Sequence, residues 1–252
     1  MNIVTINSEN LDREHICCAN SKGKEKNLGL ACRKAWMQKQ FEKGLTFKKM
    51  DVNGKVFIEY IPAENAWCPI KAPGYLFIKC FWVSGQYKGK GYAKELLEEC
   101  IKDAKAQGKL GLVTLSSSAK KPFLSDPKYL KNKGFVVGDT ANPYFKLLYL
   151  PFETDAPKPV FLDCCKEGVL PENGFVLCYS AQCPFCEEYA LLIENTAREK
   201  NIAMKLIKFT ELSQAQAAAS PFTTYSLYYN GRFLTHEIQS VSKFLKLMEA
   251  VL

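Results

Sequence analysis

The sequence lacks any uninterrupted apolar run close to the roughly 20 residues that a membrane-spanning helix needs. Its first residues, MNIVTINSENLDREH, also lack the basic and then apolar order of a secretory signal peptide. The 34 basic and 26 acidic residues are spread along the chain, without the blocks of one charge that form nucleic-acid-binding tails. We therefore expect a cytoplasmic protein that binds neither membranes nor nucleic acid, with a net charge of +8 that favours a smaller anionic partner.

Histidine is scarce, with two residues in the chain, so the 11 cysteines dominate any metal hypothesis. In a cytosolic protein, such cysteines are typically thiols rather than structural disulfides. Cys164 and Cys165, together with Cys183 and Cys186, would supply four thiolates to zinc, but adjacent cysteines depart from the usual two-residue spacing of zinc sites. We expect no bound metal.

The chain length indicates two domains, because 252 residues exceed the roughly 100 to 150 residues of a typical domain. The stretch PFETDAPKP (151–159) holds three prolines and shows neither helical nor strand periodicity, which predicts a linker. We place the first domain at 1–152, the linker at 153–159 and the second domain at 160–252.

Apolar periodicity predicts an α/β first domain. Asn53-Gly54, the dipeptide best suited to a tight turn with positive backbone angles, predicts an antiparallel hairpin. The run YLFIKCFWV is apolar almost throughout and predicts a central strand. In chain order, the predicted elements are a strand at 3–6, a helix at 27–43, the hairpin at 45–62, the central strand at 75–83, a helix from about 92, a strand at 110–118, a helix at 127–133 and two later strands.

The turn between the central strand and the next helix reads SGQYKGKGYA and has no side chain suited to cap the helix. A helix start carries unpaired N–H groups and the positive end of the helix dipole, which attract an anion. Gly89 and Gly91 allow close approach to the backbone, while Lys88 and Lys90 add positive charge. The turn therefore indicates a phosphate or pyrophosphate site, with an ordinary solvated turn as the alternative.

The order of strand, glycine turn, amphipathic helix and second buried strand resembles the acetyl-CoA-binding core of the GCN5-related N-acetyltransferase (GNAT) family. The family signature is Gln or Arg, two residues, Gly, one residue, then Gly or Ala. Gln86, Gly89 and Gly91 fit it in one register, and Lys88, Gly91 and Ala93 fit it in a second. We prefer the second register because it aligns the strand end, turn and helix without a gap, although lysine departs from the signature.

The resemblance implies a mixed central sheet flanked by helices, with acetyl-CoA as co-substrate and a primary amine of a small molecule or peptide as acceptor. It also implies a bulged strand that splays from its neighbour to form a slot for the pantetheine arm. The slot would be lined by Phe81, Trp82 and Val83. The pyrophosphate would lie against Lys88, Gly89, Lys90, Gly91, Tyr92 and Ala93.

Two residues are candidates for proton transfer. By resemblance, Tyr129 in YLKNKGF would protonate the leaving thiolate, but it stands five residues before Gly134 where the family's tyrosine stands four, and Leu130 takes that place. Glu59 in VFIEYIP would take a proton from the amine, which is charged at neutral pH. The alternatives are an outward-facing Glu59, a thiolate that leaves unaided, and a CoA-binding sensor that catalyses nothing.

The second domain carries Cys183-Pro-Phe-Cys186 between a predicted strand and a helix. This context favours a reactive thiolate at the first cysteine and lets the second resolve a mixed disulfide. With the predicted order β-α-β-β-β-α, the domain resembles a thioredoxin-like fold with a glutaredoxin-type motif. Asn230-Gly231 predicts a hairpin turn between the last two strands. Counted back from this turn, the position where such folds place a proline beside the cysteines holds Thr223, two residues after Pro221. A thiol-disulfide oxidoreductase and a binding module are both open interpretations.

Taken whole, the segments HICCAN, CFWVSGQYKGKGYAKELL, KKPFLSDPKYL and PFTTYSLYYNGRF resemble the two-domain YoaP-like acetyltransferases of bacteria. This resemblance implies the architecture and brings no particular acceptor. A homodimer paired through a strand edge is an open alternative to a monomer.

Overall fold

The computed structural model describes residues 2–18 and 28–252. They form two compact units. The first unit contains residues 2–18, Met37–Ala66 and Ile70–Leu162, and the second contains residues 28–36, Trp67–Pro69 and Asp163–Leu252. The predicted helix start at Asn27 lies outside the described residues.

The first unit is built on a seven-stranded mixed sheet, which confirms the α/β fold class. The elements up to residue 162 are β1 (Ile3–Ile6), α1 (Leu28–Phe41), β2 (Thr46–Met50), β3 (Val56–Pro62), β4 (Ile70–Lys71), β5 (Tyr75–Val83), α2 (Tyr92–Ala106), β6 (Gly111–Ser117), α3 (Pro127–Asn132), β7 (Val136–Ala141), β8 (Phe145–Pro151) and β9 (Val160–Phe161). The sheet order is β1-β2-β3-β5-β6-β8-β7, and its parallel pair is β5 with β6. The short strands β4 and β9 pair separately.

Helix α2 lies on one face of this sheet through the apolar stripe that the sequence predicts. Leu96, Leu97, Cys100 and Ala104 are buried there, against alternate residues of β3 and β5 such as Ile58. Alternation along β3 turns Phe57 and Glu59 to the opposite face, because successive strand residues point to opposite sides. The two faces of the sheet therefore present different groups near the centre of β5.

The hairpin of β2 and β3 forms as predicted, but its turn does not have the predicted geometry. Neither Asn53 nor Gly54 has a positive φ, and five residues separate the strands. Gly54 instead lies under the ring of Tyr87, where a Cβ would come within 2.0 Å of a ring carbon. The Tyr87 hydroxyl donates a 2.9 Å hydrogen bond to the Asn53 carbonyl. The glycine is therefore explained by a packing contact from a distant part of the chain.

The second unit contains a four-stranded sheet in the order β11-β10-β12-β13. Its elements are β10 (Phe175–Ser180), α4 (Pro184–Glu199), β11 (Met204–Phe209), α5 (Leu212–Gln216), β12 (Tyr225–Tyr229), β13 (Arg232–Thr235) and α6 (Val241–Val251). β10 pairs in parallel with β11, and the pairs of β12 with β10 and β13 are antiparallel. The structure contains the short helix α5, which the sequence did not predict. The Asn230-Gly231 turn has the expected positive φ angles of 46° and 76°. None of the helices in the described segments is long and apolar enough to cross a membrane.

Candidate functional site

The glycine turn before α2 leaves the start of the helix open. Gly91 is the N-cap residue with φ 85°, and no side chain caps the helix. Gly89 also has a positive φ, 76°, and a Cβ placed on either glycine would have no described atom within 4 Å. Since the first N–H groups of a helix have no acceptor within it, this open turn has the polarity and the space to receive an anion.

Tyr87 fixes the position of this turn. Its ring packs edge-on against Tyr92, with 5.8 Å between ring centroids, and the Lys90 ammonium lies 5.6 Å from its centre. Lys88 and Lys90 are both exposed beside the glycines. The sequence gives no local sign of this role of Tyr87, because its contacts with Asn53 and Gly54 join residues more than 30 positions apart.

Strand β5 parts from β6 halfway along its length. The two strands pair from Tyr75 to Ile78 of β5, while β5 continues to Val83. At the point of parting, the Thr114 hydroxyl donates a 2.9 Å hydrogen bond to the Ile78 carbonyl. The pairing of β5 with β3 shifts by one residue at the same place and leaves Lys79 as a bulge. The splayed strand and bulge that the resemblance implied are thus both present.

The residues predicted to line the slot follow the parting point, but they face different sides. Phe81 and Val83 pack with the α2-side core. Trp82, which alternation turns to the other side, is 46% exposed. All three belong to the part of β5 that has no partner in β6. They are therefore available to line a cleft.

Tyr129 lies on α3, on the α2 side of the parting point. Asp126 caps this helix by accepting hydrogen bonds from the Lys128 and Tyr129 amides at 2.9 and 3.2 Å. The Tyr129 ring packs edge-on against Phe81, with 5.8 Å between centroids. Its hydroxyl oxygen is buried, and no described residue forms a hydrogen bond with it. Burial, and then the charge of Glu98, raise the pKa of this hydroxyl.

Glu59 lies on the face of the sheet away from α2, and the alternative of an outward-facing glutamate is wrong because the side chain is buried. The residue is only 1% exposed. The Lys79 ammonium, on the bulge of β5, lies 3.3 Å from a Glu59 carboxylate oxygen. The pair stands where β5 parts from β6, so a carboxylate and a tyrosine hydroxyl flank the parting point from opposite faces.

A partly buried polar network, of which the sequence gives no local sign, fastens α2 to the sheet. The Lys48 ammonium donates hydrogen bonds to Asp103 at 2.9 Å and to Glu99 at 3.1 Å, and the Tyr60 hydroxyl also donates to Asp103. Burial alone would lower the pKa of Lys48, but the hydrogen bonds to these carboxylates raise it overall. The network holds the helix whose first turn forms the anion site.

The second unit contains the dithiol motif at the start of α4. Cys183 is the N-cap residue and is half-buried, Cys186 is buried one turn later, and both are thiols. Thr223 lies beside them, since its hydroxyl accepts a 2.9 Å hydrogen bond from the Gln182 side chain. Within residues 2–18 and 28–252, no group of three His, Cys, Asp or Glu residues is arranged to hold a metal ion. The Cys164 thiol instead donates to the Gln216 carbonyl.

Comparison with known proteins identifies the family. Residues 14–121 match the family model described as Acetyltransferase (GNAT) family, and residues 204–246 match the model described as YoaP-like. The chain is 38% identical over 248 residues to the protein named "Uncharacterized N-acetyltransferase YoaP" of Bacillus subtilis (strain 168), covering 98% of each protein.

Solved structures of GNAT enzymes are also similar to the chain, at lower identity. A GNAT family acetyltransferase from Brucella melitensis in complex with acetyl-CoA has a TM-score of 0.40 and 14% identity, covering 62% of this chain and 91% of that one. An N-acetyltransferase from Staphylococcus aureus Mu50 has a TM-score of 0.40 and 16% identity, covering 61% of this chain and 100% of that one. On the strength of the full-length relative, the chain belongs to the GNAT acetyltransferase family and to its YoaP-like members.

Proposed function

We propose that the protein is an acetyl-CoA-dependent N-acetyltransferase whose acceptor is a primary amine of a small molecule or peptide. The observation that carries this proposal is the uncapped start of α2, with open space above Gly89 and Gly91, next to a strand that parts from its neighbour. The open turn and the parted strand occur together, as a ligand whose pyrophosphate continues into a long pantetheine arm requires. Membership of the GNAT family supports the same assignment.

The pyrophosphate of acetyl-CoA would accept hydrogen bonds from the backbone at Gly89, Gly91, Tyr92 and Ala93. Lys88 and Lys90 are exposed beside it and add positive charge. The pantetheine arm would lie between β5 and β6, along Phe81, Trp82 and Val83. This part of β5 pairs with β3 but not with β6, so backbone amides on its β6 side are suited to stabilise negative charge on the acetyl carbonyl oxygen during attack by the amine.

Glu59 and Tyr129 are proposed as the proton-transfer residues. A primary amine is protonated at neutral pH and must lose a proton before it can attack, and the Glu59 carboxylate stands at the parting point to take it. The thiolate released by the attack can take a proton from Tyr129, whose buried hydroxyl forms no hydrogen bond with the described residues. The acid and the base would thus act from opposite faces of the sheet, so the amine and the thiol would not compete for one space.

We further propose that residues 160–252 contain a thioredoxin-like domain, packed with residues 28–36 and 67–69 in the second unit, and that residues 1–152 contain the acetyl-CoA site. The support is the topology of the second unit. β10 and β11 are parallel and joined by α4, β12 is antiparallel to β10, and β13 and α6 complete the chain. The dithiol lies where β10 leads into α4.

The experiment that tests the transferase follows CoA thiol release from acetyl-CoA over a panel of primary amines and peptides. Glu59→Gln should lower kcat/KM by about 100-fold, the effect typical of losing a general base. The matched control is Glu172→Gln. Glu172 forms an ion pair with Lys205 at 2.7 Å in the second unit, so this variant also removes a carboxylate from a lysine but should leave activity unchanged. Melting temperatures are recorded for both variants, because Glu59→Gln also takes a partner from Lys79.

An active Glu59→Gln variant would refute the proposed base. Acetyl-CoA binding without thiol release from any amine would favour a CoA-binding sensor over the transferase.

A further inference from the structure

The dithiol at the start of α4 has no part in the proposed acetyl transfer, and two other segments of the second unit contact Pro184 and Thr223 beside it. We propose that Cys183 and Cys186 form a thiol-disulfide exchange site for low-molecular-weight disulfides, and that residues 28–36 and 67–69 keep protein disulfides away from it. These two segments are called the flanking segments below.

The pair has the arrangement that exchange requires. Cys183 is partly exposed at the N-terminus of the 16-residue helix α4, where the helix dipole favours a thiolate. Cys186 is fully buried one turn further on, and its amide donates a 3.1 Å hydrogen bond to the Cys183 carbonyl. The exposed thiol is therefore placed to attack an incoming disulfide, and the buried one to resolve the product.

The first flanking segment, the start of α1, packs directly on this motif. A Cβ at Gly29 would lie 1.7 Å from the Pro184 carbonyl oxygen, so only glycine permits this backbone approach. One turn later, the Cys32 thiol forms a hydrogen bond with the Glu187 carboxylate; burial and this carboxylate raise the pKa of Cys32. Glu187 also pairs with Lys208 at 2.6 Å. The start of α1 is thus fastened beside the dithiol at two points.

The second flanking segment, Trp67–Pro69, forms hydrogen bonds with Thr223 and Pro221, which lie just before β12. The Thr223 hydroxyl donates a hydrogen bond to the Trp67 carbonyl, and the Cys68 thiol donates to the Pro221 carbonyl at 3.2 Å. Gln182, the residue before Cys183, donates a side-chain hydrogen bond to the Thr223 hydroxyl. An extended peptide brought to Cys183 would need such groups for its own backbone, and here Trp67 and Cys68 already occupy them.

The two flanking segments also support each other. Trp36 and Trp67 pack edge-on, with 5.6 Å between ring centroids. A disulfide within a protein carries polypeptide chain on both sides of each sulfur. To reach Cys183 it would have to displace both flanking segments and break these contacts. A small disulfide needs only the exposed part of Cys183. The geometry therefore selects substrates by size.

The proposed exchange balances without a further reactant. The Cys183 thiolate attacks one sulfur of R–S–S–R, forming a mixed disulfide and releasing one thiolate. The Cys186 thiolate then attacks the Cys183 sulfur, expelling the second thiolate and leaving the Cys183–Cys186 disulfide. Two electrons pass from the protein to R–S–S–R, and the two protons lost by the cysteines end on two R–SH molecules.

The test is a single-turnover reaction of the full-length, pre-reduced protein with 2-hydroxyethyl disulfide or with insulin. The reaction is quenched by alkylation and the bonds are mapped by mass spectrometry, which separates Cys183 and Cys186 from the other cysteines. Wild type should form the Cys183–Cys186 disulfide with the small probe and react with insulin at least about tenfold more slowly, as expected when displacement costs about one net hydrogen bond and one ring contact. Cys186→Ser should trap the mixed disulfide on Cys183.

Two variants open the site by independent routes. If one of them does not fold, the other still tests the proposal. Gly29→Leu forces α1 away from Pro184, and Trp67→Ala removes the ring contact with Trp36. Each should raise the insulin rate by about tenfold, with little change for the small probe. The control is Met248→Ala, which truncates a buried side chain of α6 in the same unit and should leave the ratio of the two rates unchanged.

Equal wild-type rates with both probes, or opening variants that leave the insulin rate unchanged, would overturn the role of the flanking segments. Unreacted Cys183 with both probes would overturn the exchange site itself. Neither result bears on acetyl transfer, because the residues involved are separate from those proposed to bind acetyl-CoA.

Discussion

Replacing Tyr129 by phenylalanine should stabilise the protein, which is the opposite of the usual effect of trimming a buried side chain. The hydroxyl oxygen is buried without a hydrogen bond from any described residue. Burying an uncompensated hydroxyl costs about 1 to 3 kcal/mol in protein mutational data. The ring remains in Tyr129→Phe and keeps its packing against Phe81, so no cavity larger than one oxygen atom forms.

We expect Tyr129→Phe to raise the free energy of unfolding by about 1 kcal/mol, or the melting temperature by about 2 to 4 °C for a chain of this size. The matched control is Tyr60→Phe in the same core cluster. The Tyr60 hydroxyl donates to Asp103, so its loss should destabilise the protein by about 1.5 to 3 kcal/mol. Urea unfolding followed by circular dichroism measures both changes.

The same Tyr129→Phe variant separates a structural from a catalytic role. If Tyr129 is the acid, the more stable variant should release CoA thiol about 100-fold more slowly with any amine that the wild type accepts. A variant destabilised by 1 kcal/mol or more would mean that the hydroxyl has a stabilising partner, and the reasoning would fail. A stabilised variant with full activity would leave the fold intact but remove Tyr129 from the mechanism.

Three further variants test the supporting structure. Gly91→Ala places a side chain at φ 85°, so it should lower the free energy of unfolding by about 1 kcal/mol and weaken acetyl-CoA binding in calorimetry. The control Gly108→Ala, at φ 63° after the same helix, should cost similar stability without changing the Kd for acetyl-CoA. Equal changes of Kd in both variants would refute the anion site. Asp126→Ala should lower the free energy of unfolding by about 1 kcal/mol, and Asp126→Asn should restore it as an equivalent cap of α3. Burial raises the pKa of Asp126, but hydrogen bonds from the capped amides and a lysine lower it overall. The effect of Asp126→Ala in urea titrations should therefore be full above about pH 4 and shrink towards that of a neutral cap as pH falls through the lowered pKa; a pH-independent difference would contradict this. Lys48→Met should destabilise the protein by about 1 to 3 kcal/mol, because Asp103 and Glu99 lose their shared cation but are partly exposed and keep contacts with the Tyr60 hydroxyl and with Lys102; an unchanged free energy of unfolding in urea would argue against the network.

Features that depend on neighbouring residues in the chain were predictable from the sequence. Strand β5 spans the predicted 75–83, because its apolar run is bounded by turn signals. Gly91 has the positive φ expected of a glycine at an uncapped helix start, and the Asn230-Gly231 turn has the expected angles. In each case a short stretch contains the whole physical cause.

Features that depend on distant contacts were not predictable. A glutamate within an alternating strand gives no sign that a lysine on a bulge of another strand will pair with it, so the burial of Glu59 was missed. Asn53-Gly54 was assigned to the wrong turn geometry because the glycine accommodates Tyr87, far along the chain. Likewise, Trp67 is separated from Thr223 by 156 positions, and no local pattern announces that contact.

The most direct test of the central claim is a calorimetric titration of acetyl-CoA into the full-length protein. We predict saturable binding at one site per chain that is weakened in Gly91→Ala and unaffected in Gly108→Ala. Absence of binding by a protein shown to be folded would contradict the account, since the open turn before α2 would then be an ordinary solvated turn.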